Sequence, residues 1–344
     1  MKTRIYKSED LNKKEVQEDI KNTLLSGRNV IFPTETVYGI GAYALSEKGI
    51  KGIYEVKGRP SDNPLIMHIS NKTDIYKYTC DHQAYVEELI QAFWPGPLTL
   101  VLKKKTQVPY IITGGLETVG VRMPSHPIAL KVLDISDIPI CAPSANISGK
   151  PSSTLFEHVL EDFKDRVDIM IDGGKSQVGI ESTVLDVTAK IPVILRPGMI
   201  TKEMLETVVP QVIGGKIHTS DDIPKAPGMK YRHYAPKGDL MVVDGNIDQV
   251  ISYITKQINT TDSKNQIGVI CTTDLKEAFN GAFVYSIGEP NQEEEIASNL
   301  FAALRAMDKA NIETIYAIAF HEGKYKDALM NRLMKAANQQ IIKL

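Results

Sequence analysis

Short apolar runs of strand length recur along the whole chain, and stretches with helical spacing separate them. That alternation confines the fold to the α/β class. The strand-like runs of the first part are RNVIFP, PLIMHIS, LTLVLKK, TVGVRMP, DIPICAPS, DIMIDGG, STVLDVT and PVILRPG. EDLNKKEVQEDIKNTLLSG reads as one helix stopped by Gly27, and SEKGIKGIYEVKG as another. Residues 218–238, HTSDDIPKAPGMKYRHYAPKG, break the alternation with prolines and glycines and show no periodic apolar face. They read as a linker with an aromatic, basic centre. Beyond it, DLMVVDG, NQIGVICTT, GAFVYSIG and ETIYAIAF look like four strands. NIDQVISYITKQI, EEEIASNLFAALRAMDKA and KDALMNRLMKAANQQI look like helices between and after them. The expected organisation is a first domain over residues 1–215, a linker over 216–238 and a small parallel, Rossmann-like domain over 239–344.

A length of 344 residues suits two domains, and 42% apolar with 24% charged residues suits a globular chain. The formal net charge of -2 excludes a global basic field for nucleic acid. The three cysteines, Cys80, Cys141 and Cys271, are far apart and suggest neither a zinc site nor a disulfide framework. MKTRIYKSEDLNKKEV lacks an apolar signal core, and no apolar run reaches membrane-spanning length, so a cytoplasmic, non-membrane protein is expected.

The densest polar stretches lie at strand ends, where open α/β sheets bind ligands. In KGRPSDNPLIMH, residues 57–68, Arg59 and Asn63 precede prolines and are expected to be extended. Lys57 and Arg59, two apart, would then share a face and clamp a phosphate or carboxylate; a solvated turn is the alternative. Alternation puts Ile66 and His68 on one face of PLIMHIS, which makes His68 either a core histidine or a site residue. VIFPTETVYGIGA places Thr34, Glu35, Thr36 and Tyr38 just past a strand. Its GIGAYA matches a dinucleotide fingerprint in letters only, since the strand ends too early, and GKS at 174–176 lacks the first glycine of a phosphate loop. APSANISGKPSST, residues 142–154, offers Ser144, Asn146, Ser148 and Ser152 as donors, or as ordinary capping serines. Arg122 in TVGVRMP and Arg196 in LRPG add cations near strand ends, and ESTV adds Ser182.

In their order along the chain, PTETVYGIGA, KGRPSDNPLIMH, VGVRMPSHP, APSANISG, ESTV and LRPG resemble the YrdC-like threonylcarbamoyl-AMP synthase family. PGMKYRHYAP and the C-terminal α/β unit resemble its long, two-domain form. The resemblance implies a twisted, open mixed sheet with helices around a large concave, positive cavity. It implies synthesis of L-threonylcarbamoyl-adenylate and pyrophosphate from L-threonine, bicarbonate and ATP. Mg²⁺ would accompany ATP, held by its phosphates and by no protein side chain. Downstream proteins would move the threonylcarbamoyl group onto an adenosine of tRNA; direct tRNA binding is left open.

By the same resemblance, Thr36, His68, Arg122, Ala142 and Ser182 would contact threonine. Arg59, Asn63, Thr118, Ser144, Asn146, Ser152 and Arg196 would contact ATP, with Tyr231 or Tyr234 of the linker closing over it as a lid. Lys57 and Arg59 would stabilise the charge that develops in nucleotidyl transfer. Two other readings stand beside this one. A related carbamoyl-adenylate enzyme, as in hydrogenase maturation, would need the zinc-binding cysteine pairs that this sequence lacks. A non-catalytic RNA-binding module is allowed by the implied positive cavity and the KYRHY segment, while the net charge of -2 and the density of small-ligand groups argue against it.

Overall fold

A computed structural model describes residues 2–214, 234–261 and 266–344. These residues form two compact units. The first takes in Met1–Ser148, Ser153–Gln177 and the described part of Glu181–Lys230. The second takes in Gly149–Ser152, Val178–Ile180 and the described part of Tyr231–Leu344.

The first unit is built on ten strands: β1 (Arg4–Lys7), β2 (Val30–Phe32), β3 (Gly39–Tyr43), β4 (Ile66–His68), β5 (Leu98–Lys103), β6 (Thr118–Arg122), β7 (Ile140–Cys141), β8 (Ile169–Asp172), β9 (Thr183–Asp186) and β10 (Val193–Arg196). They form one mixed sheet in the order β1-β8-β2-β3-β7-β4-β6-β5-β9-β10. All eight strand-like runs of the first part are strands. β1 and β3 are additional, each too short or too rich in glycine to stand out by alternation. The stretch read as one long first helix is a 3₁₀ turn, Ser8–Asn12, followed by an α-helix, Lys14–Leu25, and Gly27 beyond it adopts φ 72°.

The two faces of this sheet are not covered alike. One face buries Ile40, Ala42, Met67, Leu100, Val121 and Leu185 in the main core. On the other, a smaller cluster joins Val16, Ile20 and Leu24 of the first helix to Val30, Phe32, Ile140, Ile169 and Ile171. That cluster takes no residue from β4, β5, β6, β9 or β10. Strand alternation therefore turns His68, Thr99, Thr118 and Arg122 onto the face opposite the main core, beyond that cluster, where Ile66, Val101 and Val184 are the apolar neighbours.

The second unit carries a five-stranded, wholly parallel sheet. Its strands are β11 (Asp239–Asp244), β12 (Ile267–Cys271), β13 (Phe283–Ser286), β14 (Thr314–Ile318) and β15 (Ile341–Lys343), in the order β13-β12-β14-β11-β15. Four of them are the expected ones. β15 is additional and begins at Ile341, the last residue of the stretch that helical spacing assigned to the final helix. That helix ends at Ala336, and Asn338 and Gln339 then take φ 49° and 63°, left-handed values that no helix can continue through. No helix among the described residues is long and apolar enough to cross a membrane.

Candidate functional site

The site grows from the parallel pair β4 and β6, whose register sets His68 opposite Arg122. Arg122 is 3% exposed, and a buried guanidinium needs partners. It finds three. Nη2 lies 2.6 Å from Glu35 Oε1, Nη1 donates to Thr36 Oγ1 at 3.0 Å, and Nε donates to the Gly96 carbonyl at 3.2 Å. A guanidinium has five N–H groups, so two remain to meet a carboxylate. Thr36 is held in turn by Thr34, whose Oγ1 is 2.8 Å from Thr36 Oγ1. Burial alone would raise the Glu35 carboxyl, but the charge and hydrogen bonding of Arg122 outweigh it and hold the pKa below the ordinary range. Glu35 is the site residue that the family pattern did not assign. Its signal was a carboxylate in an otherwise apolar and hydroxyl-bearing strand end, where burial demands a cation.

His68 is buried, and its imidazole is lowered to about 3 by that burial and by the nearby Arg122 charge, so it is neutral. Nδ1 lies 3.2 Å from the Ile66 carbonyl. A carbonyl only accepts, which assigns the proton to Nδ1 and leaves Nε2 as an acceptor. The same Ile66 carbonyl accepts from the Ala142 amide at 2.9 Å, so Thr36, His68, Arg122 and Ala142 are tied together through strand pairing and one ion pair.

Ser182, just before β9, lies 2.8 Å from Thr99 Oγ1 through its own hydroxyl. Arg196 grips it twice, Nε on the Ser182 carbonyl at 3.1 Å and Nη2 on Oγ at 3.2 Å. Thr99 was not singled out in the sequence. It is the one hydroxyl in LTLVLKK, and it sits on the face opposite Leu98 and Leu100. Thr118 is half-buried at the start of β6 and lines a water-sized cavity of about 10 Å³ with Ile66, Thr99, Gly120 and Val184.

The stretch KGRPSDNP departs from expectation. Lys57 is not extended: it is the last residue of the helix Glu47–Lys57, and Gly58 caps that helix at φ 62°. Lys57 and Arg59 therefore do not share a face by strand alternation, because the polypeptide reverses hand between them. Lys57 is 1% exposed, and its Nζ donates to the Ser144 and Asn146 carbonyls at 2.5 Å each. The Ser148 amide donates back to the Lys57 carbonyl at 2.9 Å. Within this loop Ser144 Oγ donates to Asn146 Oδ1 at 2.6 Å. Arg59 Nη2 donates to the Pro64 carbonyl at 3.1 Å and reaches that of Asn63 at 3.4 Å. Asn63 is 2% exposed, and its Oδ1 accepts no hydrogen bond among the described residues. An orphaned buried acceptor is costly, and a ligand N–H would satisfy it.

The first unit thus contains three bonded groups: Thr36, His68, Arg122 and Ala142; Ser182 with Arg196; and Lys57 with Ser144 and Asn146. Arg59 and Asn63 share one turn beside them in sequence. Ser152 and Tyr234 fall in the second unit, where both are buried; Tyr234 has φ 65° and its ring lies 5.0 Å from that of Phe301. Tyr231 and most of the linker lie outside the described residues.

Known proteins match the chain over most of its length. A family model described as "Telomere recombination" covers residues 22–198, and one described as "Threonylcarbamoyl-AMP synthase, C-terminal domain" covers residues 200–338. The threonylcarbamoyl-AMP synthase of Pyrococcus abyssi strain GE5 is 47% identical over 324 residues, spanning 92% of this chain and 93% of that one. That of Bacillus subtilis strain 168 is 42% identical over 316 residues, spanning 91% and 90%. A crystal structure of P. abyssi Sua5 complexed with L-threonine superposes with a TM-score of 0.92 at 44% identity, covering 99% of this chain and all of that one. With both units matched in series and such relatives along nearly their whole length, the chain belongs to the threonylcarbamoyl-AMP synthase family.

Proposed function

We propose that the chain makes L-threonylcarbamoyl-adenylate from L-threonine, bicarbonate and ATP. The observation that carries this reading is the Arg122 group. A cation held by Glu35, Thr36 and the Gly96 carbonyl keeps two N–H groups for a carboxylate, and the neutral His68 beside it supplies an acceptor for an amine. That pair of functions recognises an α-amino acid. The P. abyssi relative crystallised with L-threonine supports the choice of amino acid.

The chemistry needs no protein nucleophile. The threonine amine adds to bicarbonate to give a carbamate and water. A carbamate oxygen then forms a bond to the α-phosphorus of ATP, and the bond to pyrophosphate breaks, with its electron pair leaving on pyrophosphate. The protein's task is to hold the reactants together and to neutralise developing charge. Arg59, Asn63, Thr118, Ser144, Asn146 and Arg196 form the ATP side of the site in this reading. This set contains two cations and no carboxylate, which fits Mg²⁺ carried on the phosphates of ATP and not by side chains. In this reading the adenylate is passed, in the cytoplasm, to proteins that modify tRNA.

Pyrophosphate release measured with each substrate omitted in turn tests the proposal. Release should require threonine and bicarbonate together. Release that proceeds equally without threonine overturns it.

A further inference from the structure

The second unit contains a cavity of about 570 Å³, within the range of small-molecule sites. Its position follows from the strand order. From β12 the chain moves outward to β13, whereas from β14 it moves the other way, past β11, to β15. Adjacent parallel strands whose crossovers leave in opposite directions open a crevice at their carboxyl ends, where α/β sheets take ligands. Cys271 and Thr272 at the end of β12, and Ala319, Phe320 and His321 just past β14, line the cavity. Ile296, Leu300, Leu329 and Leu333 from two helices, Glu293–Lys309 and Lys326–Ala336, supply an apolar wall.

The charge lining this cavity is acidic. Glu293 and Glu322 line it, and among the described residues no lysine or arginine does. His321 Nε2 lies 3.2 Å from Asp244 Oδ1. Lys324 sits over the Tyr325 ring, outside the lining, where its ammonium also feels Glu294 and Glu293, so one cation offsets part of the three-carboxylate turn. The helix starting at Glu293 would offer an anion roughly half a positive charge at its end, but Glu293, Glu294 and Glu295 fill its first turn and outweigh that. Glu293 is also held in place. Its Oε2 accepts from the Tyr325 amide at 2.9 Å, and Gly323, at φ 105°, lets the loop approach so closely that a Cβ would fall 2.7 Å from the same oxygen.

We propose that this cavity binds a small organic cation, an apolar body bearing one ammonium group, with the body against Ile296 and Leu300 and the ammonium between Glu293 and Glu322. The site is separate from the threonine-activating site and does not depend on the assignment of that site.

The test uses the full chain with labelled isoleucine methyl groups and three matched probes: phenethylamine, phenylacetate and 2-phenylethanol. Phenethylamine should shift the Ile270, Ile287 and Ile296 methyl signals saturably at millimolar concentration. Phenylacetate and 2-phenylethanol should bind at least about tenfold more weakly, a factor worth about 1.4 kcal/mol. Replacing both carboxylates, Glu293→Gln with Glu322→Gln, should weaken phenethylamine by a similar factor while keeping the acceptor for Tyr325. Ala319→Phe should fill the cavity and abolish the shifts; if that variant fails to fold, the glutamine pair decides. No saturable shift with phenethylamine, or equal binding of phenylacetate, overturns the proposal. Pyrophosphate release is not the readout, so failure here is distinct from failure of the proposed synthesis.

Discussion

Lys57→Met asks whether the buried ammonium holds a loop or holds the substrate. The structure gives Nζ two short donor contacts, to the Ser144 and Asn146 carbonyls at 2.5 Å each. Hydrogen bonds from a charged donor contribute about 1.5–3 kcal/mol each, so the pair is worth roughly 3–6 kcal/mol before desolvation. Methionine fills similar space and removes the cost of burying a cation, which offsets part of the loss. The expected net destabilisation is about 2–4 kcal/mol. The single tryptophan, Trp94, is buried in the first unit with its Nε1 on the Leu98 carbonyl, so its fluorescence during urea unfolding reports on that unit. Amide exchange at Ala145, which donates to Tyr38, and at Ser148, which donates to Lys57, should quicken in the variant. Turnover should fall as well, because Ser144 and Asn146 are displaced. If Lys57→Met unfolds at the wild-type urea concentration with unchanged exchange, and turnover still drops about a hundredfold, the ammonium acts on the nucleotide and the loop-holding argument fails.

Glu35→Gln leaves Arg122 buried with its charge uncompensated and should cost about 3–5 kcal/mol, with weakened threonine binding; urea unfolding and threonine titration check both. Asn63→Ala removes an acceptor that has no partner, so stability should change by less than about 1 kcal/mol while the KM for ATP rises; a large stability loss with an unchanged KM would contradict this. Stability should fall on acidification from about pH 6.5, because the unfolded chain takes up a proton at His68 that the folded site, with its imidazole lowered to about 3, refuses. That limb slopes by up to about 1.4 kcal/mol per pH unit. Glu35 adds to it in the same sense. Its folded pKa is depressed below 4.5, so its contribution is complete above that pH and is lost as the pH falls through the folded value. His68→Gln should reduce the slope between about pH 6.5 and 4.5, leaving the part that belongs to His126, whose pKa burial also lowers; an undiminished slope would assign it to other groups.

The α/β class, the parallel sheet of the second unit and twelve of the strands were determined by the sequence alone, because strand and helix periods are local properties of the chain; the mixed first sheet was implied by the family resemblance. Motif order also singled out the residues of the first unit's candidate site, though not their contacts. The error at Lys57 shows why. Proline and alternation argue about neighbours in sequence, whereas the helix Glu47–Lys57 runs to Lys57 and turns its ammonium onto a loop almost ninety positions away. Glu35 and Thr99 acquired their roles in the same way, from partners brought close by strand pairing: Arg122 for the first, Ser182 for the second. Only tertiary structure decided how far the first helix's cluster extends across one sheet face, and only strand order placed a cavity between β12 and β14. Local periodicity says which residues point the same way; long-range pairing says what they meet there.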